Sequence, residues 1–422
     1  VAAAAGAVRS PGAEARLLAA VTELCARDSY PALTVERLRA AAAVSRATFY
    51  QYFSDVEDCF LSAQRAHSVE LAREVAHVDA RDPRDPRELA ALDALVEFVI
   101  RRPQVALLLS RESLAAGPAA LREREALIAA LGRLTRATPP SAAAVDLPSR
   151  ILFGGVLRFL SMQIASGPVT PALVDEIRQW SLSFKRSSAL CRSEELLPRF
   201  PETAGRAPPR PPSTPRSRPA RERLLRATAA AILVHGYRAM TVADIVAGAG
   251  VSRRLFYRHF TSKREAFIAC YETAFTQTVA ASAPAYFSPG AWPQRVWDAA
   301  RAFTGFFAAE PAFAHLGFVE CYALGSSFLS RVHDTQLAFT LFLEDGYRQR
   351  PHTTLPRSFS ALTAATIFEA GFLACRGGAS LYMRRIQPLV VYIALAPFIG
   401  SEQAQSFLEG KLRAGNAVTS RR

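Results

Sequence analysis

Apolar residues recur along this chain at intervals of three and four. In Ala13–Arg27 they fall at Leu17, Leu18, Val21, Leu24 and Cys25, the spacing of one helix face. Arg221–His235 carries the same pattern at Leu224, Leu225, Thr228, Ile232 and Leu233. Longer amphipathic stretches predict helices at Leu89–Arg101, Leu121–Arg136, Ile151–Ile164 and Leu173–Phe184. A second series covers Trp297–Ala309, Phe328–Tyr347, Phe359–Ala374 and Leu381–Phe398. No segment sustains the two-residue alternation of a strand, so the predicted class is all-α. Gly377-Gly378 reads as a helix end.

The pattern repeats. Shifted by 207 residues, Arg16–Phe60 lies over Arg223–Phe267 without a gap, and 17 of the 45 positions are identical. A repeat this long reports two copies of one structural unit, and its period is far too great for a solenoid. Between the copies, 198–219 holds eight of the 27 prolines, with Arg206, Arg210, Arg216 and Arg218 among them. Such a stretch cannot be helical and reads as an extended spacer, reaching roughly 70 Å at ~3.1 Å per residue. The alternative is a tether whose arginines also touch phosphate.

The repeated unit reads as a helix-turn-helix. Thr241 caps a short helix, Val242–Ala247, which ends at Gly248-Ala249-Gly250, where Gly250 can take positive φ. Val251 plugs the angle, and Ser252 caps a second helix, Arg253–His259. Two short capped helices joined by a tight turn have the geometry that places the second in a DNA major groove. Leu255, Phe256 and Phe260 would pack inward; Arg253, Arg254, Tyr257, Arg258 and His259 would face the groove. Ser262 and Glu265 read as a capping box for the next helix. Lys263 sits in that helix's first turn, where a cation opposes the dipole, and a phosphate partner would account for it.

Thr241–Phe267, with its capping Thr, its Ala-Gly-Val-Ser turn, its Phe-Tyr-x-His-Phe helix and its Ser-Lys-x-x start, resembles the DNA-binding domain of TetR/AcrR transcriptional regulators. The first copy, Thr34–Phe60, keeps Val44-Ser45-Arg46, Phe49-Tyr50 and Tyr52-Phe53. It has Ala43 in place of the turn glycine and Asp55-Val56 in place of Ser-Lys. The resemblance implies a three-helix head on a helical ligand and dimerisation domain, whose last two helices pair with a partner as a four-helix bundle. It implies a cytoplasmic, ligand-responsive DNA-binding protein, most often a repressor, with no cofactor and no metal. The chain then reads as two tandem TetR-like units. The boundaries are a loose N-terminal tail, 1–12; a first head, 13–62; a first regulatory domain, 63–197; the linker, 198–219; a second head, 220–269; a second regulatory domain, 270–413; and a C-terminal tail, 414–422.

Charge separates the copies. The full chain of 422 residues carries 51 Lys+Arg against 37 Asp+Glu, a formal net charge of +14, which favours an anionic partner such as double-stranded DNA. Thr34–Gln64 has three arginines against Glu36, Asp55, Glu57 and Asp58, net −1. Thr241–Tyr271 has four arginines and Lys263 against Asp244 and Glu265, net +3. Phosphate contacts dominate non-specific affinity, so the second head should bind more strongly. Base readout is assigned to Arg46, Ala47, Thr48 and Gln51 in the first head and to Arg253, Arg254 and Arg258 in the second. Tyr50, Tyr52, Tyr257, His259, Lys263, Thr34 and Thr241 are assigned to phosphate grip, beside the capping Ser45 and Ser252.

Unlike heads on one chain predict an asymmetric site read by an intramolecular pseudo-dimer. Its bundle would form from Ile151–Ile164 and Leu173–Phe184 with Phe359–Ala374 and Leu381–Phe398. Gly154, Gly155 and Gly371 would permit close approach. A homodimer through the same helices is the alternative.

Aromatic residues point to the second half as the sensor: 80–197 holds five, whereas 287–404 holds nineteen. Trp297, Phe303, Phe306, Phe307, Phe318, Tyr322, Phe339 and Phe342 are the candidate lining for a small hydrophobic or aromatic effector. A large packed core is the plainer reading of the same residues.

Other classes fit less well. The six cysteines form no C-x-x-C pair, and the sequence has no G-x-S-x-G, phosphate-binding glycine loop or H-E-x-x-H. No apolar run reaches the ~18 residues of a spanning helix, Leu389–Ile399 being the nearest. Val1–Val8 lacks the charged start of a signal peptide. A protein- or membrane-facing adaptor that kept the fold and lost DNA binding is the rival reading. Salt dependence on DNA separates the two.

Overall fold

A computed structural model describes residues 11–78, 86–135, 147–184, 218–350, 354–376 and 381–419. Among the described residues every regular element is helical. The first unit opens with α1 (Pro11–Asp28), α2 (Val35–Ala41), α3 (Arg46–Tyr52) and α4 (Val56–Ala76). It continues with α5 (Arg87–Arg101), α6 (Pro103–Leu107), a π turn at Leu108–Glu112, α7 (Ser113–Ala115), α8 (Pro118–Thr135), α9 (Ser149–Ser166) and α10 (Ala172–Ser181). The second unit opens with α11 (Ala220–Ala239), α12 (Val242–Ala249), α13 (Arg253–His259) and α14 (Lys263–Tyr286). Its regulatory part holds α15 (Trp292–Ala309), α16 (Pro311–Phe318), α17 (Ser326–Ala338), α18 (Ser358–Arg376), α19 (Leu381–Arg385), α20 (Gln387–Ile399) and α21 (Ser401–Thr419).

Four boundaries differ from the sequence reading. The N-terminal tail ends early, because α1 already starts at Pro11, a residue suited to a first helical turn. Phe328–Tyr347 is not one helix: α17 stops at Ala338 and tightens into a 3₁₀ segment over Phe339–Gln349. Leu381–Phe398 breaks at Ile386, since Pro388 lacks an N–H and fits only the first turn of a new helix. The 414–422 tail is largely helical, with α21 running to Thr419. In addition, α4 and α14 run unbroken across the expected 62/63 and 269/270 boundaries. Each head is thus joined to its regulatory part by a continuous rod. Most of the linker (198–217), Gly377-Gly378 and Cys191 lie outside the described residues.

The two units pack along one seam, where α9 lies against α18. A Cβ at Gly155 would fall 2.5 Å from Thr366 Oγ1, and one at Gly154 would fall 2.5 Å from Glu369 Oε1. Only glycine lets these helices meet so closely. Gly371 serves otherwise: its close neighbour is Phe318 of its own unit, at 2.5 Å from a Cβ, so it is not part of the seam.

Glu369 is fully buried and takes two guanidiniums from the first unit. Arg124 Nη1 lies 2.8 Å from Oε1; Arg158 Nη2 and Nε lie 2.8 and 3.1 Å from Oε2. Burial alone would raise its pKa, but Arg124 and Arg158 outweigh it and hold the carboxyl below its usual range. Arg158 also donates to the Tyr322 hydroxyl. Farther along, Trp180 Nε1 donates to Thr363 Oγ1 at 3.0 Å, and the Phe184 and Tyr392 rings meet at 5.7 Å. Among the described residues α18 alone is long and apolar enough to cross a membrane, and most of it is buried within the protein.

Candidate nucleic-acid interface

Each head builds its recognition helix the same way. Ser45 Oγ accepts from the Thr48 N–H at 3.0 Å and Ser252 Oγ from the Leu255 N–H at 3.2 Å, starting α3 and α13. Phe49 and Phe53 anchor α3 in the first core; Phe256 and Phe260 do so for α13. Leu255 is only half-buried. The opposite faces are open: Arg46, Ala47, Tyr50 and Gln51 in α3 and Arg253, Arg254, Tyr257, Arg258 and His259 in α13 are all exposed. Thr48 and Tyr52 are half-buried, and the Thr48 hydroxyl is engaged with Ser45 Oγ at 2.8 Å. Arg46 lies 5.7 Å from the Tyr50 ring centre and Arg253 lies 5.9 Å from that of Tyr257, the same pairing in both copies.

The preceding helix is capped by Thr34, whose Oγ1 accepts from the Arg37 N–H at 3.2 Å. Thr241 forms a full capping box: Thr241 Oγ1 accepts from the Asp244 N–H at 3.3 Å, and Asp244 Oδ2 accepts from the Thr241 N–H at 2.8 Å. The turns then diverge. Gly250 takes φ 61°, and Ala43 is forced to φ 51° at the matching position. Left-handed backbone costs a non-glycine residue about 1–2 kcal/mol.

Two sequence expectations around α14 are corrected. Lys263 is not a free phosphate ligand. Its Nζ donates to the carbonyls of Tyr237, Arg238 and Met240 at 3.1, 3.0 and 2.9 Å. These carbonyls follow the break in α11 at Gly236 (φ 70°, ψ 160°), and they supply the negative partner that its own helix start denies it. Nor do Ser262 and Glu265 close a reciprocal box. Ser262 Oγ caps the Glu265 N–H at 3.2 Å, but the Glu265 carboxylate turns to the N–H and hydroxyl of Thr261, each at 2.6 Å.

Sequence reading missed the joint between each head and its base. Glu112 Oε2 accepts from the Tyr30 N–H at 2.6 Å, and Glu320 Oε2 from the Tyr237 N–H at 3.0 Å. Tyr30 and Tyr237 are equivalent in the repeat, and each follows a residue with positive φ, Ser29 at 65° and Gly236 at 70°. The signal was in the sequence as two acids 208 residues apart, but both lie beyond the aligned repeat.

The aromatic candidates divide. Phe303, Phe339 and Phe342 line a cavity of about 70 Å³ between α15, α18 and α20. Phe303, Phe307, Phe318 and Phe339 line a second of about 30 Å³. Trp297, Phe306 and Tyr322 line neither. Trp297 meets Phe407 at 6.4 Å, Phe306 meets Phe307 at 5.1 Å, and Tyr322 is a buried hydrogen-bonded part of the seam. Both spaces are smaller than the ~300 Å³ of an ordinary ligand pocket. Much of the aromatic surplus is therefore packed core. No group of three or more His, Cys, Asp or Glu among the described residues comes together to hold a metal.

One family model matches both heads. Residues 17–63 and 224–270 each match the family described as "Bacterial regulatory proteins, tetR family". No curated protein matches the chain. Among solved structures, the fatty acid degradation regulator FadR from Bacillus halodurans is 15% identical. That alignment covers 42% of this chain and 97% of that one, with a TM-score of 0.35. A TetR-like transcriptional regulator from Rhodococcus sp. RHA1 is 20% identical, with 47% and 98% covered and a TM-score of 0.31.

Proposed function

With two tandem tetR-type heads as the premise, we propose that the chain is a ligand-responsive DNA-binding transcriptional regulator acting as an intramolecular pseudo-dimer. The observation that carries this reading is the glycine-lined α9–α18 seam. It uses within one chain the helices by which separate subunits of such regulators would pair.

Each head presents an exposed helix of different chemistry. Arg46, Ala47, Thr48 and Gln51 face Arg253, Arg254, Leu255 and Arg258 across the repeat. Arginine reads guanine through two parallel hydrogen bonds, and Gln51 suits adenine. The pair therefore fits two dissimilar half-sites about 34–36 Å apart rather than a palindrome. Tyr50, Tyr52, Tyr257 and His259, with the capping Thr34, Ser45, Thr241 and Ser252, set register on the backbone. The second head supplies most of the electrostatic grip. In the first head Arg37 is paired with Asp28 and Arg39 with Glu36 on the preceding helix, and Arg46 is the one basic residue of the recognition helix, against three arginines in α13.

The effector enters the aromatic core of the second unit. Phe303 and Phe339 stand between the two small cavities, so a planar apolar molecule that turns them aside would join the spaces. The strain would pass to the second head along α14. The test is the solution mass of the intact chain, alone and on a duplex. A single 45.9 kDa chain per duplex is expected. Two chains joined through α9 and α18 would overturn the pseudo-dimer.

A further inference from the structure

Toward the aromatic core of the second unit α14 presents Ala274, Thr278 and Ser282, spaced four apart. The hydroxyl of a helical serine or threonine commonly turns back to the carbonyl four residues earlier. Thr273 and Thr278 do so, donating to Ala269 and Ala274 at 2.7 Å each. Thr304 on α15 donates to Ala300 at 2.8 Å in the same way. Ser282 does not. It is 1% exposed, and its Oγ has no hydrogen-bond partner among the described residues. A buried hydroxyl left unpaired is destabilising, and such groups are rare in native structures.

Ser282 lines the cavity of about 70 Å³ between α15, α18 and α20. Every other residue lining that cavity is aliphatic or aromatic, Val296, Ala364, Ile367 and Val390 among them. A water there would find one polar side chain, short of the roughly two to four partners it needs. A charged group would lie unpaired in an apolar site. The space therefore suits a neutral, apolar body with one hydrogen-bonding group. Its size is bounded as well. Phe303, Phe339 and Phe368 line both this cavity and the neighbouring one of about 30 Å³. In the neighbour the hydroxyls are engaged: Thr278 as above, and Thr335 on the Arg331 carbonyl at 2.8 Å. An apolar cavity of about 150 Å³ admits benzene, so the two spaces joined limit an occupant to a single ring. At the same 207-residue offset the first unit has Val75 on α4, buried and without a hydroxyl.

We propose that the second unit binds a neutral, single-ring aromatic molecule bearing one hydroxyl or carbonyl group, hydrogen-bonded to Ser282 Oγ with its ring among Phe303, Phe339 and Phe368. This names the chemistry of the effector and rests on the effector reading above. Pro284 follows on the same helix and offers no N–H to the Ala280 carbonyl, so the α14 ladder is interrupted beside Ser282. An occupant bonded at Ser282 acts on the helix that starts in the second head, at the place where its ladder is already broken.

The probe is phenol, titrated by calorimetry into the intact chain without DNA. Beside it are toluene, which puts a methyl in place of the hydroxyl, and benzoate, which carries a charge. Phenol should bind saturably and benzoate should not. Ser282→Ala should weaken phenol about tenfold, as expected for loss of a buried hydrogen bond, and leave toluene unchanged. The same substitution should raise the urea midpoint of the free protein, because it removes an unpaired buried hydroxyl. No saturable binding of phenol, benzoate binding as tight as that of phenol, or a phenol affinity that Ser282→Ala leaves unchanged overturns the proposal. So does a loss shared equally by toluene, or a lowered urea midpoint. Because no DNA is present, a site established in this way stands even where phenol leaves DNA affinity unaltered, a result that would count against the effector reading alone.

Discussion

At the residue scale, Lys263 shows how one contact changes a role. Its ammonium holds three carbonyls at the end of α11, so its removal should loosen the second head. Lys263→Ala should lower unfolding stability by about 1.5–3 kcal/mol, the range for hydrogen bonds to a charged group, read as a shift in urea midpoint. It should leave the salt slope of DNA binding unchanged. Arg254→Ala should instead keep the midpoint and weaken DNA binding by about 1–3 kcal/mol, with specificity relaxed at the base it reads. The caps were legible in the sequence because they act over three residues: Thr241 and Ser252 cap where expected, and Thr34 and Ser45 cap the matching helices of the first copy. The partners of Lys263 were not, because they lie 23–26 residues away on another helix. Ala43 was visible as a departure from glycine, and the structure gives its consequence, an alanine held at φ 51°.

At the scale of elements, the α9–α18 crossing carries the tie between units. Gly155→Ala would set a Cβ 2.5 Å from Thr366 Oγ1 and 2.9 Å from its Cα, a backbone atom that cannot swing away. Overpacking of this kind costs about 1–3 kcal/mol or more. Gly305→Ala, also within a helix, would meet nothing within 4 Å and should stabilise by about 0.4–1 kcal/mol. Urea melts of the two variants should move in opposite directions. A matching loss in both would mean the crossing is not tightly packed. Helical periodicity revealed α9 and α18, and their glycines hinted at a close approach. It could not show that Glu369 takes Arg124 and Arg158 from more than 200 residues away. Periodicity also joined α17 to the following 3₁₀ segment, since both keep an apolar face while the hydrogen bonding tightens.

On the scale of the whole molecule, duplication has given two heads that share a plan and differ in surface. The repeat, the helix-turn-helix units and the imbalance of charge were readable from the sequence alone. The joints at Tyr30 and Tyr237 depend on how each head seats on its own base, and the seam on how the units cross, and no local pattern encodes either. The same crossing is asymmetric in detail: Ser29 and Pro31 of the first head crowd Gly325 of the second unit, whereas Gly117 meets nothing within 4 Å and the second head reaches the first unit through Arg238, which donates to the Ala115 carbonyl. The most direct test is selection of binding sites from random duplex DNA by the intact chain, in parallel with an Arg254→Ala, Arg258→Ala variant. An asymmetric site of two dissimilar halves is predicted, with the half read by the second head lost in the variant. A palindrome, or no enrichment at low salt from protein free of bound ligand, would contradict the account.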